Sequence, residues 1–211
     1  VISKWRIFAV RPRFWFANLQ SNLVDLLVGL SAVTLIWQAD GSHFVQVFFG
    51  VLYAMWLLLL KLRTGRNAMI YQAGISQFFG LTALLSLGYQ VDVAFVVLMG
   101  WVIGYVCARH TLIAYEEEDT TLLALVWGLF VAEMSWLAYH WTVAYDISAR
   151  LMIPQAAIMV ALFSFMTIKV YHSYRQHGES KWKEVRGSVF FMLAVLFVLL
   201  AKEMSILFQV L

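Results

Sequence analysis

The sequence predicts an all-α integral membrane protein, a bundle of seven transmembrane helices. Of its 211 residues, 63% are hydrophobic and only 13% are charged, whereas soluble domains carry roughly 45–50% apolar and about 25% charged residues. The apolar residues fall into seven segments of about 20 residues, the length needed to cross roughly 30 Å of hydrocarbon. The joins between the segments are short, so we expect one domain covering residues 1–211.

The seven spans are expected to be helical because each backbone polar group in lipid must be bonded within its own segment. Pro154 lies near the start of the sixth span, where a proline is tolerated in the first helical turn. The predicted spans are Ala17–Trp37, His43–Leu62, Met69–Tyr89, Asp92–Ile113, Thr121–Val143, Leu151–Tyr174 and Gly187–Leu211.

The basic residues are distributed unevenly between the two sides of this bundle. All but two of the 15 lysines and arginines lie on the side of the N-terminal segment; Arg150 lies on the other side and Lys202 within the last span. Because positively charged loops remain in the cytoplasm, we expect a cytoplasmic N-terminus and an external C-terminus. The expected location is the cell membrane, as a multi-pass protein whose partner is the lipid bilayer and not a nucleic acid.

Several function classes lack their characteristic residues. The single cysteine, Cys107, excludes an internal disulfide and a cysteine-based metal site. Histidines near the span ends disfavour a haem held between helices, and no hydrolase, phosphate-loop or metal-ligand motif occurs. We therefore expect a protein that is not an enzyme. No signal-peptide cleavage site follows the basic N-terminus, and a chain running from Val1 to the apolar Leu211 is expected to continue at both ends.

Polar and small residues within the spans recur at helical spacings and predict buried faces. Asp25 shares one face of span 1 with other polar residues, so we expect it to face the bundle. In span 3, Gln72 and Ser76 stand four residues apart on one face. In span 4, Gly100 and Gly104 form a ridge of small residues that lets a neighbouring helix approach closely.

Lys202 and Glu203 lie inside the last span, where a charged side chain costs about 2.5–3.5 kcal/mol on insertion scales. At about 1.5 Å per residue, Glu133 in span 5 reaches a depth similar to that of Lys202. Glu133 shares a face with Trp136 and His140. An ion pair of Lys202 with Glu133 or Glu203 that fixes helix packing is one interpretation, and a covalent attachment point is another.

Seven helices with one lysine in the last resemble the retinal-binding rhodopsins, and the cytoplasmic N-terminus resembles the heliorhodopsins in particular. The resemblance follows the chain from the first helix to the last. Its features are Asp25-Leu26-Leu27, Gln72 with Asp92, Gly128 with Trp136, Pro154, Tyr171 with Tyr174-Arg175, Lys181-Trp182 and Ala201-Lys202.

The resemblance implies a photoreceptor with a light-sensing or regulatory role, in which retinal forms a Schiff base with Lys202. It implies that Gln72 stands where the family carries a carboxylate counterion, with Ser76 one turn deeper. Trp136 would pack on the retinal, and Glu133 would be an unusual polar neighbour of its apolar end. We expect no ion pumping, because no ordered series of carboxylates crosses the membrane.

With a glutamine in the counterion position, a compensating charge has to come from Glu203, Glu133 or Asp25, or be absent. We therefore expect a largely unprotonated Schiff base that absorbs towards the ultraviolet. The resemblance also implies a homodimer and a cytoplasmic signalling partner, which residues 175–186 and the acidic run Glu116–Asp119 would contact.

Two other functions remain open. One is a pigment-free seven-helix protein of the same fold that acts as an envelope or assembly subunit. The other is a small transporter of a polar solute or ion, with Asp25, Glu133 and Lys202 as its polar path.

Overall fold

The computed structural model describes residues 15, 19–20, 22–141, 143–147 and 151–210, and for residues 89, 200 and 202–210 it describes the backbone alone. From Leu23 onwards the described chain contains seven α-helices. They are α1 Leu23–Gln38, α2 His43–Met55, α3 Arg66–Ser86, α4 Val93–Ala114, α5 Thr120–His140, α6 Gln155–His177 and α7 Trp182–Val210.

Within the described residues, five helical segments are long and apolar enough to cross a membrane, namely α2 with its continuation to Leu60 and the four helices α3 to α6. The helix α1 is apolar but shorter. This fits the predicted class of multi-pass helical membrane protein. Successive helices reverse direction at short turns. Residues 61–65, 115–119 and 178–181 thus form one end of the bundle, called the basic end below. Residues 39–42, 87–92, 141, 143–147 and 151–154 form the opposite end.

The join between α5 and α6 differs from its prediction. Strands β1 Ala144–Asp146 and β2 Met152–Pro154 pair antiparallel, with Ala144 opposite Pro154. The assignment of residues 151–154 to a helix was therefore wrong. Pro154 has no backbone N–H and disfavours a helical conformation in the residue before it, so α6 begins only at the next residue. Ser86 anchors the hairpin to α3, since its hydroxyl donates to the carbonyl of Met152 over 2.8 Å.

The start of α7 also differs, because the helix begins at Trp182 and not at Gly187. Gly178 ends α6 with a φ of 73°, a left-handed conformation that glycine adopts without strain. Ser173 closes the turn: its hydroxyl accepts from the N–H of Lys181 over 3.1 Å and donates to Glu184 over 2.8 Å. The described part of α7 packs on α6.

A π-helical turn, Trp56–Leu60, extends α2 towards the basic end. A π-helix bonds residues five apart and so places them on one face; here the N–H of Lys61 donates to the carbonyl of Trp56 over 2.9 Å. The Trp56 indole donates to Asp25 over 3.2 Å, and the Lys61 ammonium lies 3.3 Å from the same carboxylate. Asp25 therefore faces the bundle, as predicted.

The helix α3 is central, packing against α1, α4 and α6, while α4 packs closely along α5. A Cβ atom added at Gly104 would lie 2.8 Å from the Cβ of Val131 and 3.0 Å from the Cα of Gly128. A Cβ atom at Gly100 would collide with Ser135. The predicted ridge of small residues in α4 is thus a packing surface for α5, and Gly128 belongs to the same contact.

Candidate ligand cavity

Gln72 and Ser76 both lie buried on α3, and Gln72 connects the first turns of this helix to its neighbours. The Gln72 amide donates to the carbonyls of Leu60 over 2.6 Å and Arg63 over 2.9 Å, and its Oε1 lies 3.2 Å from Nε2 of His110. Ser76 donates to the carbonyl of Gln72 over 2.6 Å. Gln72 thus uses its polar atoms to hold the α2–α3 turn and α4 together.

Glu133 and Trp136 lie on the outer face of α5, where both side chains are exposed. The Trp136 ring packs on the ring of His140, with centroids 4.8 Å apart. The side chains of Lys202 and Glu203 lie outside the described residues, although the helix α7 includes both positions. The structure therefore brings Gln72 close to Ser76 and Glu133 close to Trp136, as two separate pairs on different helices.

A cavity of about 280 Å³ lies between α3, α4, α5 and α6. Most of its wall is aliphatic or aromatic. The lining residues that matter below are Gly74, Gln77, Cys107, Trp127, Ser164 and Tyr171.

Gln77 provides the central polar group of this wall. Its amide donates to the hydroxyl of Ser164 over 2.8 Å, and its carbonyl accepts from the indole of Trp127 over 3.2 Å. Gln77 is only 3% exposed, and a buried amide without partners would cost about 1–3 kcal/mol. The three side chains fix α3, α5 and α6 relative to one another around the cavity.

The cavity opens sideways between α5 and α6. Leu123 and Val126 line it and are 40% and 61% exposed, and Thr167 on the facing helix is also exposed. In a bilayer these exposed side chains would contact lipid. An apolar molecule dissolved in the membrane could therefore enter the cavity without crossing water.

Tyr171 links the cavity to the basic end, because it lines the wall and its hydroxyl donates to Glu117. The Arg175 guanidinium lies 3.6 Å from the same carboxylate and donates to the carbonyl of Tyr115 over 2.8 Å. These contacts of Glu117 with Tyr171 and Arg175 join the acidic run to the end of α6.

Burial raises the pKa of the Tyr115 phenol, and the nearby Arg66 opposes that shift.

The predicted attachment lysine lies further from the basic end than the cavity does. Glu184 of α7 stands beside Ser173 of α6. At about 1.5 Å per residue, Lys202 is about 27 Å beyond that level, and Ser164 about 14 Å. A chromophore on Lys202 would therefore reach the cavity only by extending towards the basic end.

The largely apolar wall of the cavity is suited to binding an apolar ligand. Among the side chains described, no three His, Cys, Asp or Glu residues lie close enough together to hold a metal ion. Cys107 is buried in the wall as a free thiol. Asp25, held by Lys61 on α1 and α2, and Glu133 on the outer face of α5 do not form a continuous polar path in the described part of the chain.

Sequence reasoning did not single out Gln77, Ser164 or Trp127. The sequence signal for the first two was a polar residue within an apolar span, Gln77 in span 3 and Ser164 in span 6. Comparison with protein-family models, curated protein sequences and solved structures finds no match, so the site rests on the geometry of this chain.

Proposed function

We propose that the protein is a multi-pass membrane protein that binds an elongated apolar molecule in the cavity between α3, α4, α5 and α6, without transforming it. The observation that supports this proposal is an apolar cavity of about 280 Å³ that opens towards the side of the bundle that lipid would contact. Ligand pockets are typically apolar with a few fixed polar groups that orient the ligand. Gln77, held by Ser164 and Trp127, is such a group.

Retinal is the specific ligand proposed, and the resemblance to heliorhodopsins is the reason for choosing it. In this proposal Lys202 carries the Schiff base and the protein acts as a light sensor or regulator that pumps no ions. The cavity supports the proposal through its apolar wall and its aromatic residues Trp127 and Tyr171. The link from Tyr171 through Glu117 to Arg175 supplies a contact from the cavity to the basic end, where a signalling partner would bind.

The test is a spectrum of the purified protein after addition of all-trans retinal, for the natural chain and for Lys202→Ala. A new band that Lys202→Ala abolishes supports covalent attachment. Quenching of tryptophan fluorescence by retinal in both proteins, without such a band, supports an apolar site and contradicts the Schiff base. Neither signal, in protein that retains its helical circular dichroism, contradicts retinal as the ligand.

The proposed orientation places the basic end in the cytoplasm, together with the N-terminus, and the C-terminus outside. The uneven distribution of lysine and arginine supports it. In a Cys107→Ala background, single cysteines at position 179 or at position 40 would be labelled in intact cells with a membrane-impermeant maleimide. We expect labelling at position 40 alone, with position 179 labelled only after lysis; the reverse pattern contradicts the orientation.

A pigment-free assembly subunit is the second candidate, and the outer face of α5 favours it. That face carries an exposed carboxyl group, Glu133, among large apolar side chains. Such a face is better suited to a protein contact than to lipid alone.

A further inference from the structure

The outer face of α5 carries a regular seam of side chains that no other described helix covers. Their spacing alternates between four and three residues, the 3.5-residue repeat that a partner helix in a coiled coil requires. All six are exposed, the first three at 62%, 61% and 56%. The outer seam consists of Leu122, Val126, Leu129, Glu133, Trp136 and His140.

Glu133 lies on this seam at a depth where water is absent if α5 crosses the membrane. It follows Thr120 by 13 residues, which is about 20 Å along the helix, and precedes His140 by about 10 Å. Its short side chain cannot extend that far to an interface, as lysine and arginine can. Among the described residues, no hydrogen bond or ion pair involves the Glu133 carboxyl.

A carboxyl group in this position is costly unless a neighbour neutralises it, and acidic residues within spans face partners far more often than lipid. A polar residue at one core position of a helix pair also sets register and partner choice. The outer seam therefore combines a surface on which a partner helix can pack with one charge that selects which helix binds.

We propose that the outer seam binds a transmembrane helix of another protein that carries a lysine or arginine at the depth of Glu133. A second copy of this chain fits less well, because parallel symmetric packing of α5 on α5 would place Glu133 against Glu133. The outer seam meets the mouth of the cavity at Val126, whereas Glu133 and the other seam residues do not line the cavity. The inference does not depend on the proposed ligand.

The probe is a synthetic single-span peptide rich in leucine and alanine, with leucines at seam spacing and one lysine at the depth of Glu133. Energy transfer from labelled protein to labelled peptide is measured in phosphatidylcholine vesicles. We expect this peptide to bind roughly 3- to 30-fold more tightly than a peptide with leucine in place of the lysine, the range that polar contacts between membrane helices provide. Glu133→Gln should reduce that ratio to about 1, since it removes the charge and keeps the shape.

A matched pair of variants tests the seam. Leu129→Ala alters a seam residue that is 56% exposed, and Leu98→Ala alters a residue of α4 that is 58% exposed. Only Leu129→Ala should weaken peptide binding.

Three results would overturn the proposal. The first is equal binding of the lysine and leucine peptides to the natural chain. If the variant Lys202→Leu then preferred the lysine peptide, Glu133 would be paired with Lys202 of its own chain, and the proposal would fail in that case too. The second is an unchanged ratio in Glu133→Gln. The third is energy transfer between protein copies that Leu129→Ala abolishes, which would make the seam a self-association site.

Discussion

Filling the cavity from Gly74 should weaken ligand binding without disturbing the helix bundle. Gly74 lines the cavity, and a Cβ atom added there would have no neighbour within 4 Å. Gly74→Leu places four carbon atoms in space that a bound ligand would otherwise occupy. Forcing extra methylene groups into packed space costs about 1–3 kcal/mol, which corresponds to roughly 5- to 150-fold weaker binding.

The same substitution should leave the ligand-free protein as stable as before or more stable. Leucine favours a helix over glycine by up to about 1 kcal/mol, and its side chain gains contacts with the cavity wall. Binding and stability are therefore expected to change in opposite directions. This separates a blocked site from a damaged fold.

The assay is titration of detergent-solubilised protein with all-trans retinal, followed by quenching of tryptophan fluorescence, together with a thermal melt of each variant. Gly50→Leu is the matched control, because Gly50 lies in α2 away from the cavity and also has no atom within 4 Å of an added Cβ. Undiminished quenching in Gly74→Leu would refute the assignment of the cavity as the binding site. Equal losses in both variants would refute it as well.

Three further predictions concern stability. Gly104→Leu should lower the melting temperature by several degrees, because the new side chain meets the backbone of Gly128 and overpacking costs about 1–3 kcal/mol; an unchanged melt would contradict the close α4–α5 contact. Gln77→Leu should destabilise the protein by about 1–3 kcal/mol in denaturant titrations, because both of its partners become unpaired, and a neutral effect would count against the polar cluster. Because burial raises the pKa of Tyr115, its contribution to stability is present below the ordinary tyrosine value near 10 and is lost as the pH rises through the raised value. Melts between about pH 9 and 12 should show a decline that Tyr115→Phe reduces, and parallel declines in both proteins would contradict it.

The positions of α2 to α5 followed closely from the sequence because long apolar runs permit little else in a membrane. The hairpin between α5 and α6 did not, since the apolar run Leu151-Met152-Ile153 suits a strand or a buried helix equally well. The π-helical turn Trp56–Leu60 was also missed. The contacts that accompany it are tertiary, since the Trp56 indole and the Lys61 ammonium both meet the carboxylate of Asp25 on another helix.

The cavity was missed for a different physical reason. Stepping by four along span 3 selects Gln72 and Ser76, and it passes over Gln77, which points about 100° away. Such a face argument assumes that a helix has one buried side. The helix α3 is central, and every residue from Gly80 to Ser86 is buried, so polar residues on any of its sides can meet a neighbour. Only the packing of α3 against α1, α4 and α6 reveals which of them line a cavity.

The two proposals share only Val126, at the mouth of the cavity, and otherwise use different residues of α5, so variants at those other residues separate them. Trp127 points into the cavity, whereas Leu129 follows it by two residues and so points about 200° further round the helix, to the outer seam. Retinal binding should therefore be unaffected by Leu129→Ala, and peptide binding should be unaffected by Gly74→Leu. If either variant abolished both kinds of binding while the thermal melt was preserved, α5 would be transmitting a change between its two faces. If the melt collapsed as well, the milder changes Gly74→Ala in the cavity and Glu133→Gln on the outer seam would decide between the sites.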